Sequence, residues 1–555
     1  MSETATRVDH ANIADAMSQM ARDAPHRAAV VLPGGEAAPS RSLQVTFGEL
    51  DSLSARYAAG LQSKGLERGD RALVMIRPGA DLIAVVFALM KLGAVPVLID
   101  PGLPRSDMLD CIEAAEPVAF IGIPVAQLLR RLFPRPFRSV RVSVTASTSR
   151  WWPGATLGAM RARPADQPSS GETSPDDEAA VAFTSGSTGV PKGVVYSHGN
   201  FRAQVAIMRD AMGIRPGDVH LACVHIFALF NPALGVTTVI PDMDPARPAA
   251  VEPARLVSAI EAHGVTFSLG SPTIWRRVAG YCDDNDVRLQ TLRKVYMFGA
   301  PVMPELVGLM KRRLVKGEVY TPYGATEALP VTQIAGEEIL AETAAGTDEG
   351  GGVCVGRPIG GAEVRVIRIL EEPIARWCDG LEVPQGNIGE IIVKGPVVTR
   401  EYLNRPRQTA EVKIRNGDAF WHRMGDLGYL DAKGRLWFCG RKSHRVETDD
   451  GLMLPIPCET PFNAHPRVAR SALVGVGTRG RQKPVLVVEP RQDQGPRSTG
   501  DEAALANELR ALARRHEHTR AIQTVLFHGP FPMDVRHNAK IQREKLAAWA
   551  EETLR

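Results

Sequence analysis

From residue 46 onward the chain alternates between two hydrophobic periods, and each switch between them predicts a new element. Phe47–Lys64 repeats at helical spacing, Arg71–Ile76 is a short β-type run, and Asp81–Lys91 is helical again. A strand over Val95–Ile99, a helix over Arg105–Ala115 and a strand over Val118–Ile121 continue the series. This alternation predicts an α/β fold of parallel sheets covered by helices. Pro, Ser and acidic residues crowd 161–178 and mark an exposed loop ahead of a strand at Ala179–Phe183. Gly- and Val-rich runs from Val353 through Glu363–Ile369 and Ile388–Val393 predict a second, twisted, barrel-like sheet region. The apolar run LWFCG ends at Gly440, and the residues beyond it carry their own helix (Asp501–His516) and strand (Ile522–Phe527). The expected organisation is therefore a large N-terminal domain (1–440), a joint at 441–443 and a small α+β C-terminal domain (444–555).

Composition narrows the class. The 555 residues carry 66 basic and 62 acidic side chains, a net charge of +4, too balanced for a dedicated nucleic-acid binder. A hydrophobic content of 44% is ample for large cores and excludes wholesale disorder. Seven scattered cysteines with no CxxC pair argue for a reduced, cytoplasmic protein and against a disulfide scaffold or zinc module. The N-terminal MSETATRVDHANIADAM has no apolar core of a signal peptide. The most apolar stretch, 82–100, is interrupted by Lys91 and Pro96 and falls short of the roughly 20 apolar residues a spanning helix needs.

The most informative segment is AFTSGSTGVPKGVVYSHGNF, residues 182–201. A β-type run enters a turn carrying four hydroxyls (Thr184, Ser185, Ser187, Thr188). Gly186, Gly189 and Gly193 let backbone N–H groups approach an anion, and Lys192 adds a point charge suited to phosphate. It is not a Walker A loop, whose G-x-x-x-x-G-K-[ST] spacing is absent. Thr184–Gly193 resembles the [ST]-S-G-[ST]-T-G-x-P-K-G hallmark of the ANL superfamily of adenylate-forming enzymes, which in that family holds the β- and γ-phosphates of ATP.

Further family stations appear in order along the chain. FGAPV (298–302) resembles the adenine-side segment, placing Gly299, Ala300 and Pro301 at the nucleotide. TPYGATEAL (321–329) resembles the YGxTE motif. The resemblance implies nucleotide contacts from Tyr323, Gly324 and Ala325, an α-phosphate contact from Thr326 and Mg²⁺ ligation by Glu327, a hard oxygen donor apt for that ion. In WHRMGDLGYLDAKGRLWFCGRK (421–442), Asp426 matches the ribose-binding carboxylate, Arg441 a joint-side ribose or phosphate contact, and Phe438 another nucleotide contact. Asp431 and Gly434 read as a plain hairpin turn. Lys540 resembles the C-terminal catalytic lysine, although Ala539 replaces the usual preceding glycine. His225, in LACVHIFALFNPALGVTTVIPDMDP (221–245), sits at the acyl-pocket station; Phe227, Leu229, Phe230 and Leu234 would line an acyl tunnel or pack the core. The resemblance implies an ANL fold with a mobile C-terminal domain, and ATP and Mg²⁺ as cofactors.

Past Arg441 the chain departs from thioester-forming members. Ser443 or His444 stands for the usual acidic joint residue, Glu447 for a lysine, and Asp449 and Asp450 precede Gly451; these acids are expected to repel CoA. Pro455 and Pro457 are expected to stiffen the next turn. Together with the YGATEALPV and pocket segments, this resembles the OleC-type β-lactone synthetases of bacterial long-chain olefin biosynthesis. That implies adenylation of a 2-alkyl-3-hydroxy fatty acid, closure by its own β-hydroxyl, and association with a β-keto-acid reductase and a β-lactone decarboxylase. The alternatives are a long-chain acyl-CoA synthetase and a non-catalytic nucleotide-binding subunit.

Overall fold

A computed structural model describes residues 11–32, 42–147, 154–164, 173–184, 191–244, 246–496, 498–533 and 541–555. Local chemistry places the first elements where periodicity predicts them. Helix Phe47–Gln62 starts at a capping box: Thr46 Oγ1 accepts from the Glu49 N–H at 3.2 Å, and Glu49 Oε2 accepts from the Thr46 N–H at 2.8 Å. Helix Ala80–Leu92 stops at Gly93, whose φ of 68° suits a residue without Cβ. The expected 82–100 reading holds: that helix is buried on nearly every face and is followed by strand Val95–Ile99.

Two large sheets form the body. The seven-stranded sheet runs in spatial order Ala155–Thr156, Val142–Thr145, Ala119–Gly122, Arg71–Met75, Val95–Ile99, Glu178–Thr184, Lys192–Ser197. All its pairings are parallel except the last, where Thr184 stands opposite Lys192 in an antiparallel ladder. The fourteen-stranded sheet has a parallel half and an antiparallel half. Ala28–Leu32, Thr237–Val239, Val219–Leu221, Phe267–Gly270, Lys294–Met297 and Glu318–Ala325 pair in parallel. From the hairpin Glu318–Ala325/Ala328–Ala335 onward, through Val353–Pro358, Leu436–Arg441, Ala419–Leu430, Gly389–Lys394 and Glu363–Ile367, every pairing is antiparallel. The barrel-like region is thus an antiparallel continuation of the large sheet. Among the described residues no ladder returns from Glu363–Ile367 to close it.

No strand ladder crosses Arg441 among the described residues. Beyond it lie a two-stranded hairpin (Val446–Thr448, Gly451–Met453) and a three-stranded sheet (Val468–Val476, Lys483–Pro490, Thr524–Phe527), packed by helices Thr499–Ala513 and Arg543–Thr553 around their own apolar clusters. Pro455 and Pro457 do not make a turn. They open helix Pro455–Asn463, where missing N–H groups cost nothing because first-turn donors have no intrahelical partner. Pro461, further in, deprives the Pro457 carbonyl of its i+4 donor, and His518 Nε2 takes that place at 3.0 Å.

Candidate nucleotide site

Loops at the carboxyl ends of parallel strands build the site, the usual place for ligands in α/β sheets. Strand Lys294–Met297 delivers Phe298 and Gly299–Ala300–Pro301 as a coil, with Gly299 at φ 90°. Strand Val219–Leu221 leads to the short helical segment His225–Phe230, which runs on into Asn231–Leu234. The two meet through Phe227 and Phe298, edge to face with centroids 5.0 Å apart, so the segments expected to serve the acyl chain and the adenine are neighbours. Leu229, Phe230 and Leu234 are buried in the main apolar cluster and pack the core, while Phe227 stays partly open beside them. His225 is half-buried, and burial pushes its imidazole down to about 4, so it is a neutral group at physiological pH. The fully buried histidine of this region is His220, stacked on Phe267 with centroids 4.6 Å apart.

Thr326 and Glu327 are the two turn residues of the hairpin between Glu318–Ala325 and Ala328–Ala335. Neither has positive φ, so this is not the primed turn of tight hairpins, and a register shift between Tyr323 and Ala325 absorbs the difference. The turn is pinned from outside. Tyr196 Oη donates to the Thr326 carbonyl at 2.5 Å, and Thr399 donates to the Glu327 carbonyl through N–H at 2.9 Å and Oγ1 at 3.1 Å. Tyr402 Oη donates to Glu327 Oε1 at 2.5 Å, and its ring carries the Lys192 ammonium 5.0 Å from the centroid. Gly324 is needed here, because a Cβ would stand 2.6 Å from the Ala328 carbonyl oxygen.

Asp426 and Arg441 are register partners on adjacent antiparallel strands. The buried carboxylate is held on both oxygens: Arg441 donates to Oδ1 at 2.6 Å and Tyr323 Oη donates to Oδ2 at 2.7 Å. Each oxygen keeps a second lone pair for a further hydroxyl. Burial and the Asp426 charge raise the Tyr323 phenol well above its ordinary value, so it stays a donor. Its ring lies 6.0 Å from that of Phe438, which completes this wall. Ala300 and Ala325 are half-buried and Pro301 is exposed.

Sequence reasoning missed a second ring of residues. Tyr196, Thr399, Tyr402, Lys413 and His422 surround the Glu327 turn and the Lys192 end of the neighbouring strand. Burial pushes the Lys413 ammonium down to about 7 against the opposing pull of Glu327. Burial, then the Lys413 charge, holds His422 far below the ordinary imidazole range. Two isolated bridges, Val194 with Tyr402 and Ala328 with Val398, bring this part of the chain to the site and leave no periodic trace in the sequence.

Residues Ser185, Gly186, Ser187, Thr188 and Gly189 and Lys540 lie outside the described residues, as does the side chain of Thr184. Their flanks are placed: Thr184 pairs with Lys192, and Met533 pairs with Ile541.

One electrostatic expectation holds only in part. Of the acids after the joint, Glu447 is held by arginines, whereas Asp450 has no ion pair among the described residues. Arg445 pairs with Glu447 at 2.7 Å and Glu371 at 2.5 Å, Arg479 approaches both, and Arg481 lies 3.6 Å from Asp449. The negative charge of this segment is therefore smaller than the sequence suggests, and it resides on Asp449 and Asp450.

For a divalent cation, the donor set fits Mg²⁺. Glu327 offers a half-buried carboxylate whose Oε1 is steadied by Tyr402. Among the described residues no cluster of three or more His, Cys, Asp or Glu exists to cage a metal. One protein carboxylate completed by phosphates and water is the coordination Mg²⁺ ordinarily adopts.

The Thr184–Lys192 strand pair, the YGATE turn and the Asp426–Arg441 pair lie where the resemblance leads one to expect the nucleotide of an adenylate-forming enzyme. Residues 17–403 match the AMP-binding enzyme family, and the chain belongs to it. It is 45% identical over 549 residues to an olefin β-lactone synthetase of Xanthomonas campestris pv. campestris, covering 97% of both chains. It is likewise 45% identical over 554 residues to one of Stenotrophomonas maltophilia, covering 98% of both. Among solved structures, the amide bond synthetase McbA from Marinactinospora thermotolerans superposes with a TM-score of 0.78 at 24% identity, covering 97% of this chain and 99% of that one, a likeness of fold.

Proposed function

We propose that this protein is an ATP-dependent β-lactone synthetase acting on long-chain 2-alkyl-3-hydroxy acids. The observation that carries the reading is full-length 45% identity to two olefin β-lactone synthetases, combined with a complete Tyr323–Asp426–Arg441 wall and a pinned Glu327 turn.

In the first step a carboxylate oxygen of the substrate attacks the α-phosphorus of ATP, the bond to the bridging oxygen breaks, and pyrophosphate leaves. Asp426 accepts the ribose hydroxyls, Phe438 and Gly299–Pro301 flank the base, and Thr326 steadies the α-phosphate. Lys192 and the hydroxyl loop Thr184–Gly189 hold the departing phosphates, with Lys540 countering charge as the carboxylate approaches. Mg²⁺ at Glu327 supplies charge neutralisation to the phosphate oxygens. In the second step the β-hydroxyl oxygen attacks the acyl carbon, the acyl–phosphate C–O bond breaks, and AMP leaves with the electron pair. The hydroxyl proton goes to a base; neutral His225, beside Phe227 and Phe298, is suited to accept it. Closing a four-membered ring requires exclusion of water and a folded substrate, a task for the joint at 441–443 and the C-terminal domain.

Among the described residues no helix is long and apolar enough to cross a membrane. Seven free cysteines, six of them buried, support a cytoplasmic site of action, in company with the reductase that makes the hydroxy acid and the decarboxylase that consumes the lactone. The test is a 3-deoxy substrate analogue: it should support ATP–pyrophosphate exchange yet no AMP turnover, whereas rapid AMP release from that analogue alone would contradict the proposal.

A further inference from the structure

Helix Pro124–Leu132 carries a second apolar face that points outward. A surface helix ordinarily buries its apolar stripe and offers its polar one to water. Here Val125, Leu128 and Leu132, spaced for one face, are 64%, 52% and 65% exposed. The side facing the protein buries Ala126, with Leu129 and Ile123 packed on the same apolar cluster, and Gln127, which donates to the Val144 carbonyl at 2.9 Å and accepts from Ser143 Oγ at 3.0 Å. With that side already filled, the three further apolar side chains are left outward, open to solvent.

Another side of the same helix, through Gln127, Arg130 and Arg131, lines a cavity of about 570 Å³ whose lining also includes Arg138, Ser143 and Thr145 and no carboxylate among the described residues. Of the nearby arginines, Arg135 is paired with Glu113 at 3.2 Å and Arg141 with Asp70 at 4.0 Å. Arg130, Arg131 and Arg138 have no carboxylate partner among the described residues. A concave pocket with three uncompensated guanidiniums fits a phosphate-bearing headgroup, since a planar fork matches phosphate oxygens in two places. The place is separate from the nucleotide site: strands Ala119–Gly122, Arg71–Met75 and Val95–Ile99 stand between Val142–Thr145 and the phosphate-loop strand Glu178–Thr184.

We propose that this face is a peripheral docking site for an anionic phospholipid bilayer, with phosphate headgroups in the arginine cavity and Val125, Leu128 and Leu132 at the acyl boundary. Apolar residues beside clustered cations are the combination that seats a short helix in the plane of a membrane interface. Charge complementarity chooses this occupant over a second copy of the chain, because a protein face would have to bring acids to an arginine cavity and apolar groups to the stripe at once. The inference goes beyond the lactone-forming reading and does not depend on it.

The test is sedimentation of the full chain with vesicles of phosphatidylcholine alone and of equimolar phosphatidylcholine and phosphatidylglycerol. Binding is expected only to the anionic vesicles and should weaken with salt. R130A together with R131A should reduce partitioning by about thirtyfold, from the worth of basic residues at such a surface. L128D together with L132D should abolish it, while ATP–pyrophosphate exchange stays at the wild-type level in both variants, as an intact fold requires. Failure to bind anionic vesicles, or equal binding by wild type and variants, would overturn the proposal. So would self-association of the wild type that L128D/L132D abolishes without any vesicle binding, which would assign the face to a second copy.

Discussion

Tyr402 and Glu327 are joined by a 2.5 Å hydrogen bond from the phenol to Oε1, and the same tyrosine ring lies under the Lys192 ammonium. One aromatic side chain thereby links the carboxylate proposed to hold Mg²⁺ to the lysine proposed to hold the departing phosphates. Burial and the Glu327 charge raise the Tyr402 phenol far above its ordinary value, so it donates at every physiological pH.

Removing that donor frees the carboxylate to rotate. Tyr402→Phe is expected to weaken the apparent affinity for Mg²⁺ about tenfold, as loss of a ligand's supporting hydrogen bond commonly does. The Mg²⁺ dependence of ATP–pyrophosphate exchange measures it; an unchanged dependence would remove Tyr402 from this role.

At the ribose wall, Asp426→Asn loses the charge that Arg441 and Tyr323 both address. The KM for ATP should rise by about tenfold or more, a charged hydrogen bond's worth. Tyr323→Phe should have a smaller effect, because Arg441 still holds Oδ1. Equal effects from the two variants would contradict this division.

Buried histidines, His198 and His220 among them, set a pH dependence of stability. Burial pushes His198 down to about 4 and His220 down to about 3. Both values lie below the roughly 6.5 of an unfolded chain, so between those limits the unfolded state binds more protons and stability falls as pH drops. From pH 7 to pH 5 each histidine should cost about 2 kcal/mol of N-terminal-domain stability, with little change above pH 7. Denaturant unfolding at the two pH values checks this, and His198→Gln should flatten its share of the slope.

In the C-terminal domain, Glu459 is buried and satisfied by Arg543 and by the Leu473 N–H at 2.7 Å. Arg543→Met would leave that carboxylate buried without its cation, destabilising the domain by about 3–5 kcal/mol. The same variant should loosen helix Arg543–Thr553, which begins three residues after Lys540, and reduce adenylation more than ATP binding. A melting transition of the C-terminal domain that does not move would contradict it.

How far the sequence reaches depends on the range of the interactions involved. Helices and strands from Phe47 to Gly122 were legible because capping, glycine stops and periodicity act within a few residues. The Asp431 turn was legible for the same reason: Asp431 caps its own hairpin, accepting from the Lys433 and Arg435 N–H groups at 2.9 Å. Helix Pro455–Asn463 was not, since Pro455 and Pro457 read as a stiff turn, and the carbonyl that Pro461 leaves free finds its partner, His518, 61 residues away. The motif residues Thr326, Glu327, Asp426 and Arg441 were found by resemblance. Tyr402 and Lys413, which shape the electrostatics around Glu327, reach it through long-range contacts and leave no local signature. Compensation of the acids after Arg441 is part local and part remote: Arg445 stands two residues from Glu447, whereas Arg479 and Arg481 stand some thirty residues downstream of the acids they approach.

The most direct measurement of the central claim is product analysis with ATP, Mg²⁺ and a long-chain 2-alkyl-3-hydroxy acid, run with and without CoA. The account predicts AMP and a β-lactone in equal amounts, formed as fast without CoA as with it. AMP formed only when CoA is present, together with a thioester, would contradict the account and make the protein an acyl-CoA ligase.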